Sequence, residues 1–96
     1  MSLLTLFPLV QPLDDNGCIV PGGLLTFYEA GTVVKKDTWS DAQGTVLNTN
    51  PVVLDIDSGR AFIFMANDGA YDILFTTDDL VEIWSLSAFI PYAPVV

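Results

Sequence analysis

The sequence contains no histidine and a single cysteine, Cys18. Without histidine the chain can assemble neither a Ser-His-Asp triad nor a Cys-His pair. The usual zinc ligand sets of cysteine and histidine are excluded as well, and one cysteine cannot form an internal disulfide. We expect a chain that folds in the cytosol and keeps Cys18 as a small buried hydrophobe, because no base or cation flanks it.

Positive charge is almost as scarce. Lys35, Lys36 and Arg60 stand against twelve acidic residues, which gives a net charge of −9. Because contacts with phosphate need clustered lysine and arginine, we expect no binding to nucleic acid or to anionic membranes. No apolar run approaches the ~20 residues of a membrane helix. The apolar N-terminus has no basic region and is broken by Pro8 and Pro12, so we do not expect it to be a signal peptide.

Charged residues make up only 16% of the 96 residues, whereas 51% are hydrophobic. A typical soluble domain has about 25% charged residues. A chain of this length forms one domain with room for a core but not for a deep catalytic cleft. We therefore expect apolar side chains on the surface, where they indicate a partner. A very well filled sandwich is the alternative.

Turn sequences recur every ten to fifteen residues through the middle of the chain, for example at 14–17 and 67–69. Glycine, asparagine and aspartate favour such turns, and β-branched and aromatic residues fill the runs between them. No helical period is present. The pattern predicts an all-β fold, a small sandwich or barrel of about seven short strands. The predicted strands are 18–20, 24–29, 32–40, 52–55, 60–65, 70–76 and 80–86.

Alternation within two of these strands separates two faces. In 24–29, Leu25 and Phe27 share one face, and in 70–76, Tyr71, Ile73 and Phe75 share one face opposite Asp72, Leu74 and Thr76. The 60–65 run is apolar on both faces, as expected where a neighbour covers the outer face. In 32–40, the charges at 35–37 either protect an edge strand or mark a solvated face.

The acidic residues offer little catalytic chemistry. Asp55 with Asp57, or Asp78 with Asp79, could pair as in a glycosidase, but both pairs lie in turn-like stretches. The Asp55–Gly59 stretch resembles the start of a calcium loop without its closing glutamate. No glycine stretch forms a phosphate-binding loop. We predict turn roles for these acids, a non-enzymatic protein, and no catalytic residue, cofactor or metal site.

An ordered series of motifs runs from Asp15 to Trp84. It comprises Gly-Gly-x-Leu at 22–25, Tyr-Glu-Ala-Gly-Thr at 28–32, Asn-Pro-Val-x-Leu-Asp at 50–55 and Gly-Arg-Ala at 59–61. The series covers about 70 of the 96 residues and resembles a β-domain of tail fibre, tailspike and related virion proteins of tailed bacteriophages. The resemblance implies attachment or assembly on the virion side. Because the chain stops at Val96, a stand-alone adaptor, fibre base or capsid-bound accessory subunit is expected rather than a receptor-binding fibre.

Several residues of the series also have a direct physical role. We expect the glycines to permit tight turns and Pro51 to fix the entry into a strand. Arg60, the only arginine, is expected to bond a carboxylate or turn carbonyls, or else to form a salt bridge between subunits. The predicted structural motif residues are Gly22, Gly23, Gly31, Pro51, Gly59 and Arg60.

The two ends of the chain carry the prediction of a partner. All charged residues lie between Asp14 and Glu82, which divides the chain into an apolar N-terminal arm (1–13), a β-sandwich (14–88) and an apolar C-terminal arm (89–96). Disordered tails are usually polar, so apolar arms are expected to dock or exchange between subunits. The alternative is that both arms fold back on their own domain. The predicted interface residues are Leu3, Leu4, Leu6, Phe7, Phe89, Ile90, Tyr92 and Val95.

These observations predict a virion structural protein of the fibre-base or adaptor type, made in the cytoplasm of a host bacterium. Its partners would be capsid, tail or fibre subunits, and by analogy with phage fibres it would be a homo-oligomer, a trimer. One alternative is a capsid decoration protein that cements capsomers. Another is a carbohydrate-binding module for receptor recognition, which would stack sugars on exposed aromatic rings. Its candidate rings are Trp39, Trp84, Tyr28 and Tyr92, although both tryptophans lie in strand-like runs and are expected to be packed.

Overall fold

A computed structural model describes residues 9–66 and 69–89. Over these residues the fold is all-β, with antiparallel strands and no helix, and therefore no helix that could span a membrane. This confirms the predicted fold class. The strands are β1 (Leu9–Val10), β2 (Leu24–Glu29), β3 (Thr38–Trp39), β4 (Val52–Val53), β5 (Ala61–Phe62), β6 (Phe64–Met65), β7 (Tyr71–Thr76) and β8 (Glu82–Phe89).

A four-stranded sheet in the order β4-β2-β7-β8 forms the centre of the molecule. Its longest ladder joins β2 and β7 over six residue pairs, from Leu24 opposite Thr76 to Glu29 opposite Tyr71. Two smaller two-stranded ladders, β1–β5 and β3–β6, complete the fold. Cross-strand pairs of aromatic and β-branched residues stabilise such ladders, and β2 and β7 are rich in both.

The core lies on one face of this sheet. Its members Leu25, Phe27, Tyr71, Ile73 and Phe75 belong to the two faces that alternation had grouped, and each is at most 7% exposed. Val52, Leu54, Ile63 and Met65 pack against them. Burial of a large apolar side chain contributes about 1.5–3 kcal/mol. The core is thus the main source of stability of the fold.

Tyr71 joins two loops across the core. Its hydroxyl donates to the Asp37 carbonyl (2.8 Å) and accepts the Ala66 N–H (2.9 Å). Its ring meets that of Phe27 edge-on at 6.0 Å, and Lys36 Nζ lies 4.4 Å from the ring centroid. A fully buried tyrosine thus satisfies its polar end while it fills the core.

Asn50 substitutes for a strand partner of β2. Its Nδ2 donates to the carbonyls of Phe27 (2.9 Å) and Lys36 (3.1 Å), and its Oδ1 accepts the Phe27 N–H (3.1 Å). The side chain therefore occupies the place where the segment after Lys36 would otherwise continue to pair with β2. This explains why the predicted strand 32–40 is wrong: only Thr38–Trp39 forms a strand, and it pairs with β6 instead.

The remaining strand predictions differ from the structure mainly at their ends. β2 has the predicted bounds, β7 begins one residue later, and the predicted 80–86 strand lies at 82–89. The predicted 60–65 strand is divided into β5 and β6, and only Ile19 of 18–20 is paired, through an isolated bridge to Leu13. β1 was not predicted, because its two residues were assigned to the N-terminal arm.

Candidate docking surface

An apolar groove, the β1–β8 groove, opens over the core face of the sheet. One side is formed by residues 9–12 and the other by Trp84, Leu86 and Phe89, while core residues form the floor. Its volume is about 330 Å³. The lining residues are Leu9, Val10, Gln11, Pro12, Leu25, Phe27, Ile63, Met65, Ile73, Trp84, Leu86 and Phe89.

Specific contacts hold both sides of the groove in place. The β1–β5 ladder anchors one side, and Gln11 Nε2 adds a hydrogen bond to the Ser58 carbonyl (2.9 Å). Trp84 joins the two sides, because its Nε1 donates to the Leu13 carbonyl (3.0 Å). The Trp84 ring also packs on Phe75 with ring centroids 5.0 Å apart. The groove is therefore largely formed before anything binds in it.

The chemistry of the groove is that of an apolar contact surface. Gln11 supplies the only hydrogen-bonding side chain of the lining apart from the indole N–H of Trp84, which is already bonded. No lining residue can titrate near neutral pH, so the groove contains no general acid, base or nucleophile of ordinary strength. It can bind apolar side chains and exclude water from them.

β8 forms the edge of the sheet beside the groove. Among the described residues it pairs with β7 alone. Glu82, its first residue, is the last charged residue of the chain, so Ile83–Phe89 carries no charge. The residues from Ser85 to Phe89 are all exposed. An edge strand presents backbone N–H and C=O groups that can pair with another chain.

Two register shifts in the β7–β8 ladder leave a regular segment between them. The shifts fall between the partners of Tyr71 and Ile73 and between those of Phe75 and Thr76. Between the shifts, Trp84, Ser85 and Leu86 lie opposite successive residues of β7. This three-residue segment is the part of the exposed edge with a continuous register.

Asp72 fixes the first of these irregularities. Its Oδ1 accepts the N–H of Ala88, which has a φ of 54°, and its Oδ2 accepts the N–H of Gly31, each at 2.9 Å. These two bonds, the one from Ala88 first, hold the pKa of Asp72 below its ordinary value. One carboxylate thereby ties the end of β8 to the loop after β2.

Apolar exposure extends beyond the groove, as the composition predicted. Among the described residues, fourteen large apolar side chains are exposed, and Val33 reaches 89%. Val46 and Leu47 are more than half exposed, and so are Ile56 and Phe62. The groove differs from these sites because its exposed members adjoin one another and the core.

The predicted interface residues fall mostly outside the described part of the chain. Leu3, Leu4, Leu6, Phe7, Ile90, Tyr92 and Val95 all lie there. Phe89 ends β8, opposite Tyr71, and contributes to the groove. The described portion of the N-terminal arm, residues 9–13, contacts its own domain through β1, Gln11 and Leu13.

The predicted motif residues occupy turns. Gly23 needs its small size, because a Cβ there would lie 3.0 Å from the Val20 carbonyl oxygen and 3.1 Å from Phe75. Gly59 is buried with a φ of 66°, which a residue with a side chain rarely adopts. Gly22 and Gly31 lie in the turns that flank β2, and Pro51 directly precedes β4. Arg60 is exposed; its carbonyl accepts the Asp55 N–H (3.0 Å).

Acidic side chains accept backbone hydrogen bonds within the turns, as predicted. Asp14 Oδ1 accepts the N–H groups of Asn16 (2.9 Å) and Cys18 (3.0 Å), and Asp55 Oδ1 accepts that of Asp57 (3.1 Å). Within residues 9–66 and 69–89, no group of three or more histidine, cysteine, aspartate or glutamate side chains could hold a metal ion. The predicted burial of Cys18 is wrong: it closes the Asp14 turn at the surface and is exposed.

Comparison with known proteins gives no family assignment. The sequence matches no model of a protein family and no curated protein. The function must therefore be inferred from the residues and the geometry of the chain.

Proposed function

We propose that this protein is a structural subunit of a bacteriophage virion, of the fibre-base or adaptor type, which acts by docking to other virion subunits. The observation that carries the docking role is the β1–β8 groove with its adjoining uncharged edge. A preformed apolar surface on a chain of net charge −9 suits a permanent contact with protein. The ordered motif series between Asp15 and Trp84 supports the assignment to a virion.

The surface is better suited to protein than to sugar. A carbohydrate site would need aromatic rings beside polar groups that bond hydroxyls. Trp84 is half-buried against Phe75, and its N–H is already bonded. The groove lining offers Gln11 as its single polar side chain with capacity to spare. Docking to protein therefore remains the function that we propose.

The test is incorporation into particles. The gene is deleted from a phage that carries it, and the protein is supplied from a plasmid. Quantitative mass spectrometry of purified particles then measures the number of copies per virion. The proposal predicts a fixed copy number with the unmodified chain. Its absence from particles that are otherwise complete would refute the virion assignment.

A pair of substitutions tests whether the groove makes the contact. Leu86→Lys places a charge in the groove, and we expect at least tenfold fewer copies per particle, because a buried unpaired charge is strongly unfavourable. Val53→Lys is the matched control, since Val53 is 60% exposed on β4, at the other edge of the same sheet. Equal incorporation of both folded variants would show that the groove is not the docking surface.

A further inference from the structure

The two edges of the central sheet differ in how far they are protected against pairing with another chain. β4, at one edge, is two residues long, and shortness is itself a protection. β8 is the other edge over the part of the chain that the structure describes; it has eight residues, and from Ile83 to Phe89 it contains no lysine, no other charge and no proline. Proteins usually place such residues on exposed edges to prevent association. The two register shifts limit the regular edge to Trp84, Ser85 and Leu86, and this segment has none of the charges or prolines that prevent pairing.

Charge directs a second copy of the chain to this edge rather than to the rest of the surface. Two molecules with a net charge of −9 repel each other over most of their surfaces. The edge from Ile83 to Phe89 and the groove lining carry no charge, so two copies can approach there with the least repulsion. A basic partner would gain nothing from this uncharged surface and would bind more favourably elsewhere on the molecule.

The sequence of the regular segment is suited to pairing with itself. An antiparallel pair with its two-fold axis at Ser85 places Ser85 opposite Ser85 and Trp84 opposite Leu86 of the other copy. The symmetry repeats the second contact, as required of an isologous interface. Trp84 and Leu86 both line the groove, so these cross-strand contacts are apolar and continuous with it. Ser85 lies opposite Leu74 in the β7–β8 ladder and is exposed.

We propose that β8 pairs antiparallel with β8 of a second copy, which joins two four-stranded sheets into one of eight strands about an axis at Ser85. The inference deepens the proposed docking function by naming a partner and a contact. It also specifies a dimer, whereas the analogy with phage fibres predicts a trimer.

The experiment uses two complementary charges at the axis. In Ser85→Lys and in Ser85→Glu, two like charges face each other in the dimer, and we expect the Kd of each variant to rise roughly fivefold. An equal mixture of the two variants places opposite charges at the axis, and the mixed dimer should bind roughly tenfold more tightly than either variant alone. Sedimentation velocity over a concentration series gives the Kd values, and native mass spectrometry identifies the mixed dimer.

Val53→Lys on β4 is the control and should leave the Kd unchanged. Hydrogen exchange on the unmodified chain gives an independent measurement: protection of amides in residues 84–86 should rise with protein concentration. The inference would be overturned by a monomer at all concentrations, by a trimer, or by a dimer whose Kd is the same in the unmodified chain and in both variants at position 85. Incorporation into particles is measured separately, so the dimer can be disproved while the virion role stands.

Discussion

At the scale of single residues, buried and partly buried polar side chains differ in whether they are hydrogen-bonded. Tyr71 and Asn50 each bond two or more backbone groups from distant segments. Thr38, 1% exposed, accepts a hydrogen bond from Asn48 Nδ2 at 3.2 Å. Thr76, 3% exposed, has no hydrogen-bond partner for its Oγ1 among the described residues. A buried hydroxyl without a partner costs about 1–3 kcal/mol.

The two threonines give a matched prediction. Thr76→Val removes an unsatisfied hydroxyl at nearly constant shape, and we expect the free energy of unfolding to rise by about 1 kcal/mol. Thr38→Val removes a bonded hydroxyl and should lower it by about 1 kcal/mol. Urea unfolding followed by fluorescence measures both. Destabilisation of similar size in the two variants would mean that the Thr76 hydroxyl is satisfied in solution.

At the scale of elements, the end of β8 depends on a carboxylate of β7. Asp72 accepts one N–H from the β8 irregularity and one from the loop after β2, and both bonds favour the ionised form. Because its folded pKa lies below the ordinary value of 3.8, its contribution to stability is present above that pH. The contribution is lost as the pH falls below 3.8 towards the folded pKa.

Asp72→Asn tests this link between elements. Asparagine can accept only one of the two N–H groups, so we expect the Tm at pH 7 to fall by roughly 4–8 °C. The loss of stability between pH 5 and pH 2.5 should also become shallower. Some slope will remain, because the Thr45 hydroxyl and the Val46 N–H likewise lower the pKa of Asp41. Asp78→Asn, in the exposed turn before β8, is the control. If the stability of Asp72→Asn fell as steeply with pH as that of the control, Asp72 would not be the group responsible.

At the scale of the whole molecule, the excess of negative charge opposes folding. Twelve acidic residues against three basic ones repel one another in the compact state more strongly than in the unfolded chain. Apolar burial must overcome this repulsion together with the conformational entropy. The same excess keeps a chain with many exposed apolar side chains in solution.

Salt should therefore stabilise the fold. We expect the urea midpoint to rise as NaCl increases from 0.05 to about 0.5 M, because screening weakens the repulsion between exposed acids. Asp79→Lys, in an exposed turn, makes the net charge of −9 less negative by two. It should raise the urea midpoint at low salt and make the midpoint less dependent on salt. A midpoint that is flat or falls with NaCl in the unmodified chain would mean that attractive pairs outweigh the repulsion.

The sequence by itself determined the fold class, the turns and which residues share a face in the strands of the longest ladder. Glycine, asparagine and aspartate restrict the backbone locally, and alternation places Leu25 with Phe27, and Ile73 with Phe75, on shared faces whichever strands lie beside them. Strand pairing was decided only by the tertiary structure, because each strand could pair with several segments that are distant in the sequence. The Asn50 side chain bonds the Lys36 carbonyl, where pairing with β2 ends. Trp84 donates to the Leu13 carbonyl, 71 residues away in the sequence. The groove depends on such long-range contacts: local patterns define apolar strands, whereas the edge that stays open depends on which partners the other strands have taken.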